Sequence, residues 1–421
     1  MAAARPAPGD NGRVPSAPPP GDPAPPTGEL PAAALAVLGE RPFGFYVHVP
    51  FCVTRCGYCD FNTYTDLGGM QSSYAAVVVR EIELARRVLG DADVPVSTVF
   101  VGGGTPTLLP AGDLATILGA IERCFGLAPG AEVTTEANPE TVDPRYLGEL
   151  RAAGFTRLSF GMQSAVRHVL ATLERVHQPG RPEQCVGWAR AAGFEQVSLD
   201  LIYGTPGESA TDWQTSLAAA VGSGPDHVSA YSLIVEPGTR LAARVARGEL
   251  PMPDDDDLAD KYVQADETLT AAGLGWYEVS NWSRPGAECR HNLGYWRSDD
   301  WWGAGPGAHA HVGGLRWWNV RHPSAYAAAV GAGRSPAEAR ELLDHDARHA
   351  ERVLLELRLA EGLDARVLTA DERSGIPQLV DDGLLVDRGG RLLLTRRGRL
   401  LADGVVRSLL VTADGAPAPA R

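Results

Sequence analysis

The run Phe43-Gly-Phe-Tyr-Val-His-Val-Pro-Phe-Cys52-Val-Thr-Arg-Cys56-Gly-Tyr-Cys59 holds two signals end to end. Residues 43–49 are mostly aromatic or β-branched, the composition of a strand. Three cysteines then fall within eight residues. Three thiolates on one short loop can converge on one cation or cluster. A structural zinc site takes four ligands, and no fourth Cys or His stands nearby at a matching spacing. A zinc site completed by a distant residue stays open as the alternative. An iron–sulfur cube accepts three protein thiolates when its fourth iron is reserved for a ligand.

Downstream, the strand-then-loop pattern repeats. Short β-branched runs at 43–49, 97–101, 131–136, 157–161, 196–202 and 227–233 alternate with amphipathic stretches. Apolar spacing predicts helices over 70–89, 112–124, 143–153, 166–173, 182–193 and 211–222. Six βα units imply a parallel sheet with right-handed crossovers, open or closed into a partial barrel. Val96-Ser-Thr-Val-Phe-Val101 is nearly all apolar or β-branched, as a strand buried on both faces should be. After residue 250 the texture changes. Asp254–Asp257 read as the solvated start of a helix, where carboxylates favour the dipole. Residues 275–282 read as a strand, and 295–318 as a loop rich in Gly and Trp. From about 345 a small helical domain is expected to end in a hairpin at Arg388-Gly-Gly-Arg391, resembling a winged helix.

The chain has 421 residues, 44% hydrophobic and 21% charged, enough for a large core. Asp+Glu outnumber Lys+Arg by 52 to 38, a net charge of −14, so non-specific nucleic-acid binding is not expected. No apolar run reaches the roughly 20 residues needed to span a bilayer. Any membrane contact would be peripheral. Lys261 is the only lysine, a mark of coding bias. The cysteines at 52, 56, 59, 124, 185 and 289 do not form the framework of a small secreted domain. A reducing cytoplasm is expected, with Cys124 and Cys185 as core thiols. Residues 1–40 hold ten prolines and no Phe, Trp or Tyr. They lack a continuous apolar stretch for a secretory signal and read as a disordered tail.

Cys-x₃-Cys-x₂-Cys, with Tyr58 before the third cysteine, resembles the radical S-adenosylmethionine (SAM) superfamily. The resemblance implies a [4Fe–4S] cluster on Cys52, Cys56 and Cys59. Its open iron is chelated by the amine and carboxylate of SAM, and one electron cleaves the sulfonium to a 5′-deoxyadenosyl radical. Polar groups recur near the strand ends: the Gly102-Gly103-Gly104-Thr105 turn, Glu136, Gln163 and Asp200, with Arg175 beyond the next helix. The bland reading is that each carboxylate caps the following helix. Four such groups in register with a cysteine loop match the active face of a βα barrel instead. By their chemistry, a carboxylate suits the methionyl ammonium or ribose hydroxyls, Arg175 the methionyl carboxylate, and Gln163 either donor or acceptor.

Tyr46-Val-His48-Val-Pro-Phe-Cys52, GGGTPT, Glu136-Ala-Asn-Pro, Ser159-Phe-Gly-Met-Gln-Ser, Arg175-Val-His177 and Asp200-Leu-Ile-Tyr-Gly-Thr-Pro-Gly together resemble the oxygen-independent coproporphyrinogen III oxidase family, from about 43 to 410. That family's cofactor residues carry over to Tyr46, Gly103, Gly104, Thr105, Glu136, Gln163, Arg175 and Asp200. The oxidase has a further Cys two places after the third, where this chain has Phe61. The folded part also starts only about nine residues before Cys52. Both features resemble the HemW branch, described as haem chaperones that deliver haem to respiratory proteins. His291-Asn-Leu-Gly-Tyr-Trp296 matches that branch's H-N-x-x-Y-W pattern, which makes His291 the candidate haem ligand, ahead of Cys289.

The resemblance implies a partial (βα)6 radical SAM barrel over 41–275, a Trp/Gly-rich extension over 276–340 and a small C-terminal domain over 341–421. Seven of the nine Trp lie between 276 and 318. They are expected mainly to pack the core, although an aromatic platform for porphyrin is the other reading. His309 is a candidate for the cofactor cavity. The expected cofactors are the cluster, SAM and haem, and the expected partners are haem-accepting respiratory proteins. The chain could be a monomer or a dimer. The alternative activity is radical decarboxylation of coproporphyrinogen III. A third reading, radical methyl transfer, lacks an added methyl-acceptor cysteine motif.

Overall fold

The computed structural model describes residues 21–65 and 69–410. Six strands alternate with helices: β1 (Phe43–Val49), α1 (Gln71–Leu89), β2 (Val96–Gly103), α2 (Ala111–Phe125), β3 (Leu127–Ala137), α3 (Pro144–Ala152), β4 (Arg157–Gln163), α4 (Arg167–Thr172), α5 (Arg181–Ala191), β5 (Gln196–Tyr203), α6 (Ala210–Gly222) and β6 (His227–Ser232). Strands β1 to β6 pair in parallel, in chain order. The helix starts follow local chemistry. Asp143 caps α3 ahead of Pro144, and Ser209 and Asp212 form a capping box on α6.

Alternation along the strands decides what faces what. Val47, Val99, Val133, Leu158, Leu199 and Val228 are buried in the same core as Val78, Ile82, Ile117, Ile121, Leu147 and Leu150 of α1, α2 and α3. Burying each such side chain contributes about 1.5–3 kcal/mol. Tyr46, Glu136, Ser159, Gln163, Asp200 and Ser229 line a single cavity on the other side. Six strands surrounding one cavity make the parallel sheet a partial barrel.

The sheet does not end with β6. After α7 (Arg240–Ala246) and α8 (Asp255–Ala271), the stretch read as one strand folds as a hairpin, β7 (Gly275–Glu278) and β8 (Asn281–Ser283). Strand β8 pairs antiparallel with β6. Asp254 caps α8, as its acidic start predicts. Helix α9 (Arg290–Trp296) follows. The 295–318 stretch is not a loop. It forms β9 (Asp300–Ala304), β10 (His309–Val312) and β11 (Leu315–Asn319). Its glycines mark close backbone packing: a Cβ on Gly303 would lie 2.0 Å from the His309 carbonyl oxygen. Strand β9 pairs in parallel with β1. After α10 (Pro323–Gly331), β12 (Ala337–Leu342) pairs antiparallel with β11. Trp282, Trp302, Trp317 and Trp318 are buried, as packing predicts.

The expectation of disorder through residue 40 is corrected over 21–40; residues 1–20 lie outside the described residues. Asp22 and Pro23 pair with Arg340 and Ala339 at the sheet edge, where proline is tolerated. Leu30 and Ala34 are buried in the main core. The composition argument fails here because the segment packs on a sheet that other residues build.

Residues 22–344 form one compact unit, and the C-terminal residues from His345 another. Within the second unit, a three-stranded antiparallel sheet joins Leu363–Asp364, Leu385–Asp387 and Arg391–Leu394. The expected hairpin turns at Arg388-Gly389-Gly390, but helices Arg396–Leu400 and Ala402–Leu410 follow it. Val353, Leu357, Leu363, Leu392 and Leu409 form its core. Among the described residues no helix is long and apolar enough to cross a membrane.

Candidate functional site

A cavity of about 710 Å³ opens at the C-terminal ends of β1–β6. The cysteine loop lies at this end, tied back by Cys52 N–H donating to the Tyr64 carbonyl at 3.1 Å. Cys52, Cys56 and Cys59 all line the cavity, and none is in a disulfide. Thr105 Oγ1 donates to Cys52 Sγ at 3.8 Å, and an Arg175 guanidinium nitrogen to Cys56 Sγ at 3.7 Å. Burial raises the thiols of Cys52 and Cys59 above the usual range. A bound cation would favour their ionised form. The sulfurs do not converge as on a single ion among the described residues. A cube, which gives each thiolate its own iron, does not require that.

The glycine turn fits against this loop by backbone. Gly104 N–H donates to the Val49 carbonyl and Thr105 N–H to the Phe51 carbonyl, both at 2.7 Å. A Cβ on Gly104 would lie 2.5 Å from the Phe51 oxygen, so only glycine permits the approach. Gly103 has φ +108° and packs on the His48 ring. His48 itself bridges the Tyr46 hydroxyl at 2.9 Å and the Asn62 carbonyl at 3.0 Å. Burial lowers its pKa to about 4 and keeps it neutral.

The strand-end groups named from sequence come together here: Tyr46, Gly103, Gly104, Thr105, Glu136, Gln163, Arg175 and Asp200 all line the cavity. Glu136 accepts from Gly103 N–H at 3.0 Å. Burial, then the charge of Asp200, pushes Glu136 up to about 8. Burial also raises Asp200, although the Ser159 hydroxyl donates to both its oxygens at 3.1 and 3.0 Å. Two half-buried acids facing each other are costly to ionise together without a cation, so this wall favours a positively charged ligand. Arg175 donates to the Gly161 carbonyl at 2.9 Å. Its Nε, and Gln163 Oε1, are buried without hydrogen-bond partners among the described residues. Gln163 and Glu174 both hold φ +57°. A non-glycine left-handed residue costs about 1–3 kcal/mol, and such strain clusters at ligand sites. The unpartnered polar atoms, paired acids and thiol loop fit a cluster with a cationic, carboxylate-bearing ligand.

His291, with Cys289 and Tyr295, lines the floor of the same cavity, at the end of the barrel away from the cysteine loop. Its ring abuts Gly44, five residues before Val49 on β1, or about 17 Å at roughly 3.3 Å per residue. Nδ1 is hydrogen-bonded to Thr98 Oγ1 and Nε2 to the Tyr295 hydroxyl, both at 2.8 Å. Phe100 stacks on the ring at 5.4 Å, and burial lowers its pKa to about 3. Neither nitrogen reaches a metal without losing a partner. Cys289 is buried, its thiol raised to about 12 chiefly by burial. His309 is exposed, lies tilted against the Trp318 ring at 6.0 Å and does not line the cavity. Cys185 is buried and Cys124 partly buried against the core.

Three participants were not identified from sequence. Ser159 sits two residues before Gly161 and four before Gln163, so period-two alternation would have found it. The same period places Tyr231 beyond Ser229 on β6. The third is a buried ion pair, Arg157 with Glu132 at 3.4 Å. Arg157 donates to the Ala287 and Glu288 carbonyls, and Glu132 accepts from the Arg290 and His291 N–H groups. The pair fastens α9 to the cavity floor through contacts about 130–160 residues apart, which local pattern does not carry.

The radical SAM superfamily profile matches residues 46–220. The chain is 56% identical over 386 residues to the "Heme chaperone HemW" of Mycobacterium tuberculosis, covering 91% of this chain and 98% of that one. It is 36% identical over 291 residues to the "Heme chaperone HemW" of Escherichia coli, covering 68% of this chain and 75% of that one. The solved coproporphyrinogen III oxidase (HemN) of Escherichia coli superposes with a TM-score of 0.78 at 24% identity, covering 89% of this chain and 92% of that one. At that identity the likeness is one of fold.

Proposed function

Because the chain belongs to the HemW family of haem chaperones, within the radical SAM superfamily, we propose that it binds haem and delivers it to haem-dependent respiratory proteins. The observation that carries the cofactor side is the cavity. Three cysteines meet two half-buried acids and two unpartnered polar atoms on one barrel face. Cys52, Cys56 and Cys59 hold a [4Fe–4S] cluster, which when bound supplies one-electron reduction of a sulfonium. Glu136 and Asp200 take the methionyl ammonium or ribose hydroxyls, Arg175 the methionyl carboxylate through its free Nε, and Gln163 a ligand N–H. Tyr46, Gly103, Gly104 and Thr105 complete the walls. The protein works in the cytoplasm, with peripheral contact where membrane-bound acceptors receive haem. The sequence names His291 as the haem-ligand candidate, but Thr98 holds its Nδ1 and Tyr295 its Nε2, and the haem-chaperone reading does not rest on coordination there.

The test is a visible spectrum of reconstituted, anaerobic protein mixed with haem, beside His291→Ala. A Soret-type band in the wild type supports the reading, and its absence removes it. An unchanged band in His291→Ala removes only that ligand. Stoichiometric conversion of coproporphyrinogen III to protoporphyrinogen would replace the chaperone by the oxidase.

A further inference from the structure

Exposed apolar side chains gather at the mouth of the cavity, beside Asp60, Glu174 and Glu236. Among the described residues of 22–344, the exposed large hydrophobic side chains are Val53, Phe61, Val176, Tyr231, Ile234, Met252, Val279 and Leu342. The first five all line this one opening. Val53 is 73% exposed, Val176 65%, Phe61 59% and Ile234 53%, with Tyr231 at 46%. They come from three segments: the cysteine loop, the turn after α4, and the end of β6 with the chain that follows it. Beneath them the segments share a satellite core of Leu173, Leu233, Val235 and Leu241, with Tyr58 packed against it. Leu241 N–H donates to the Gly57 carbonyl at 2.8 Å, and Arg240 pairs with Glu174 at 2.5 Å. The three segments that carry these side chains are therefore tied to one another around a polar cavity.

Contiguous exposed apolar patches mark binding sites. Five exposed side chains fall short of the roughly 20–30 residues a side of a stable protein interface. A flat ligand that bridges the opening fits better. Phe61 supplies an aromatic face to stack on. Just outside these side chains, the exposed Arg55 places a guanidinium nitrogen 3.5 Å from the Phe61 carbonyl. A guanidinium at the edge of an apolar disc site suits a carboxylate substituent, in a chain otherwise carrying a net charge of −14.

Resting on the haem-chaperone reading, we infer that haem docks face-down on this rim, its macrocycle on Val53, Phe61, Val176, Tyr231 and Ile234 and a propionate toward Arg55. Docked there, haem covers the cavity that holds the cluster and SAM, and lies at the barrel end opposite His291. Phe61 then serves as a haem-stacking side chain at the position where the oxidase carries a cysteine.

The experiment titrates haem into reconstituted, anaerobic full-length protein, with cluster absorbance and SAM binding recorded on each sample. Ile234→Asp and Val176→Asp lie off the cysteine loop on separate segments, so loss of cluster in one leaves the other to be read. Each is expected to weaken haem binding about tenfold or more, because a charge replaces a buried apolar contact. Arg55→Gln should weaken it about threefold, and Met252→Asp, elsewhere on the surface, should leave it unchanged. Wild-type haem affinity in both aspartate variants overturns the rim. So does lost binding in His291→Ala alone. Rim variants that bind haem normally but fail to pass it on would make the mouth an acceptor-docking surface and also overturn the proposal. No haem binding by the wild type would instead sink the chaperone reading on which it rests.

Discussion

Glu136→Gln separates the stability of the barrel from its ligand binding. Burial pushes the Glu136 carboxyl to about 8 from an ordinary 4.5, with Asp200 adding to the effect. Between those values the folded state keeps a proton that the unfolded state releases. Stability is therefore full below 4.5 and falls as pH rises through about 8. The slope is about 1.4 kcal/mol per unit, or roughly 3 kcal/mol between pH 5 and 7.5. The side chain is partly exposed to the cavity, and screening by water there leaves about 2 kcal/mol. Glutamine keeps an acceptor for Gly103 N–H and never ionises. The SAM-free, cluster-loaded variant should thus match the wild type near pH 4.5 and exceed it by about 2 kcal/mol at pH 7.5. Urea denaturation followed by Trp fluorescence across that range reads the difference. SAM affinity should fall about tenfold, since a charged hydrogen bond contributes about 1.5–3 kcal/mol. A variant less stable than wild type at pH 7.5, or one with unchanged SAM affinity, refutes the reasoning.

Gly104→Ala should drive the turn off the cysteine loop, costing about 1–3 kcal/mol and lowering iron and sulfide content after reconstitution; full cluster occupancy would contradict the tight backbone approach. Arg157→Ala leaves Glu132 buried without its partner, a loss of about 3–5 kcal/mol. Hydrogen exchange should accelerate over residues 287–296, and unchanged protection there would show that the pair does not anchor α9. Glu81 is fully buried on α1 and accepts from Gly305 N–H, Asn319 and Tyr326. Glu81→Ala should lower the urea midpoint, with a cost of about 2–4 kcal/mol from three orphaned donors; a midpoint equal to wild type would show that α1 and the β9–β11 layer hold together without it.

The six βα units were legible because their strands are buried on both faces and their helices amphipathic, so period and composition agree. The strands at 300–319 were not. Glycine at 303 and 305 looks like loop punctuation, and only the folded sheet shows that it admits a neighbouring backbone. Residues 21–40 were misread because their order comes from pairing with Arg340 and Ala339 and burying Leu30, contacts some 300 residues away. At the site, the acids and glycines stood at strand ends and could be found. The pairing of Ser159 with Asp200, and the bolt of Arg157 and Glu132 under His291, depend on lateral strand register, which no single segment encodes.

The parallel seam between β9 and β1 bears on biosynthesis. Strand β1, which leads into the cysteine loop, has β2 on one flank and residues 300–304 on the other. Until the ribosome has released those last residues, the nascent chain exposes one full row of β1 backbone donors and acceptors, a template for mispairing. Loading of the proposed cluster onto the loop accordingly belongs late in synthesis, once about three-quarters of the polypeptide has emerged and the seam has closed.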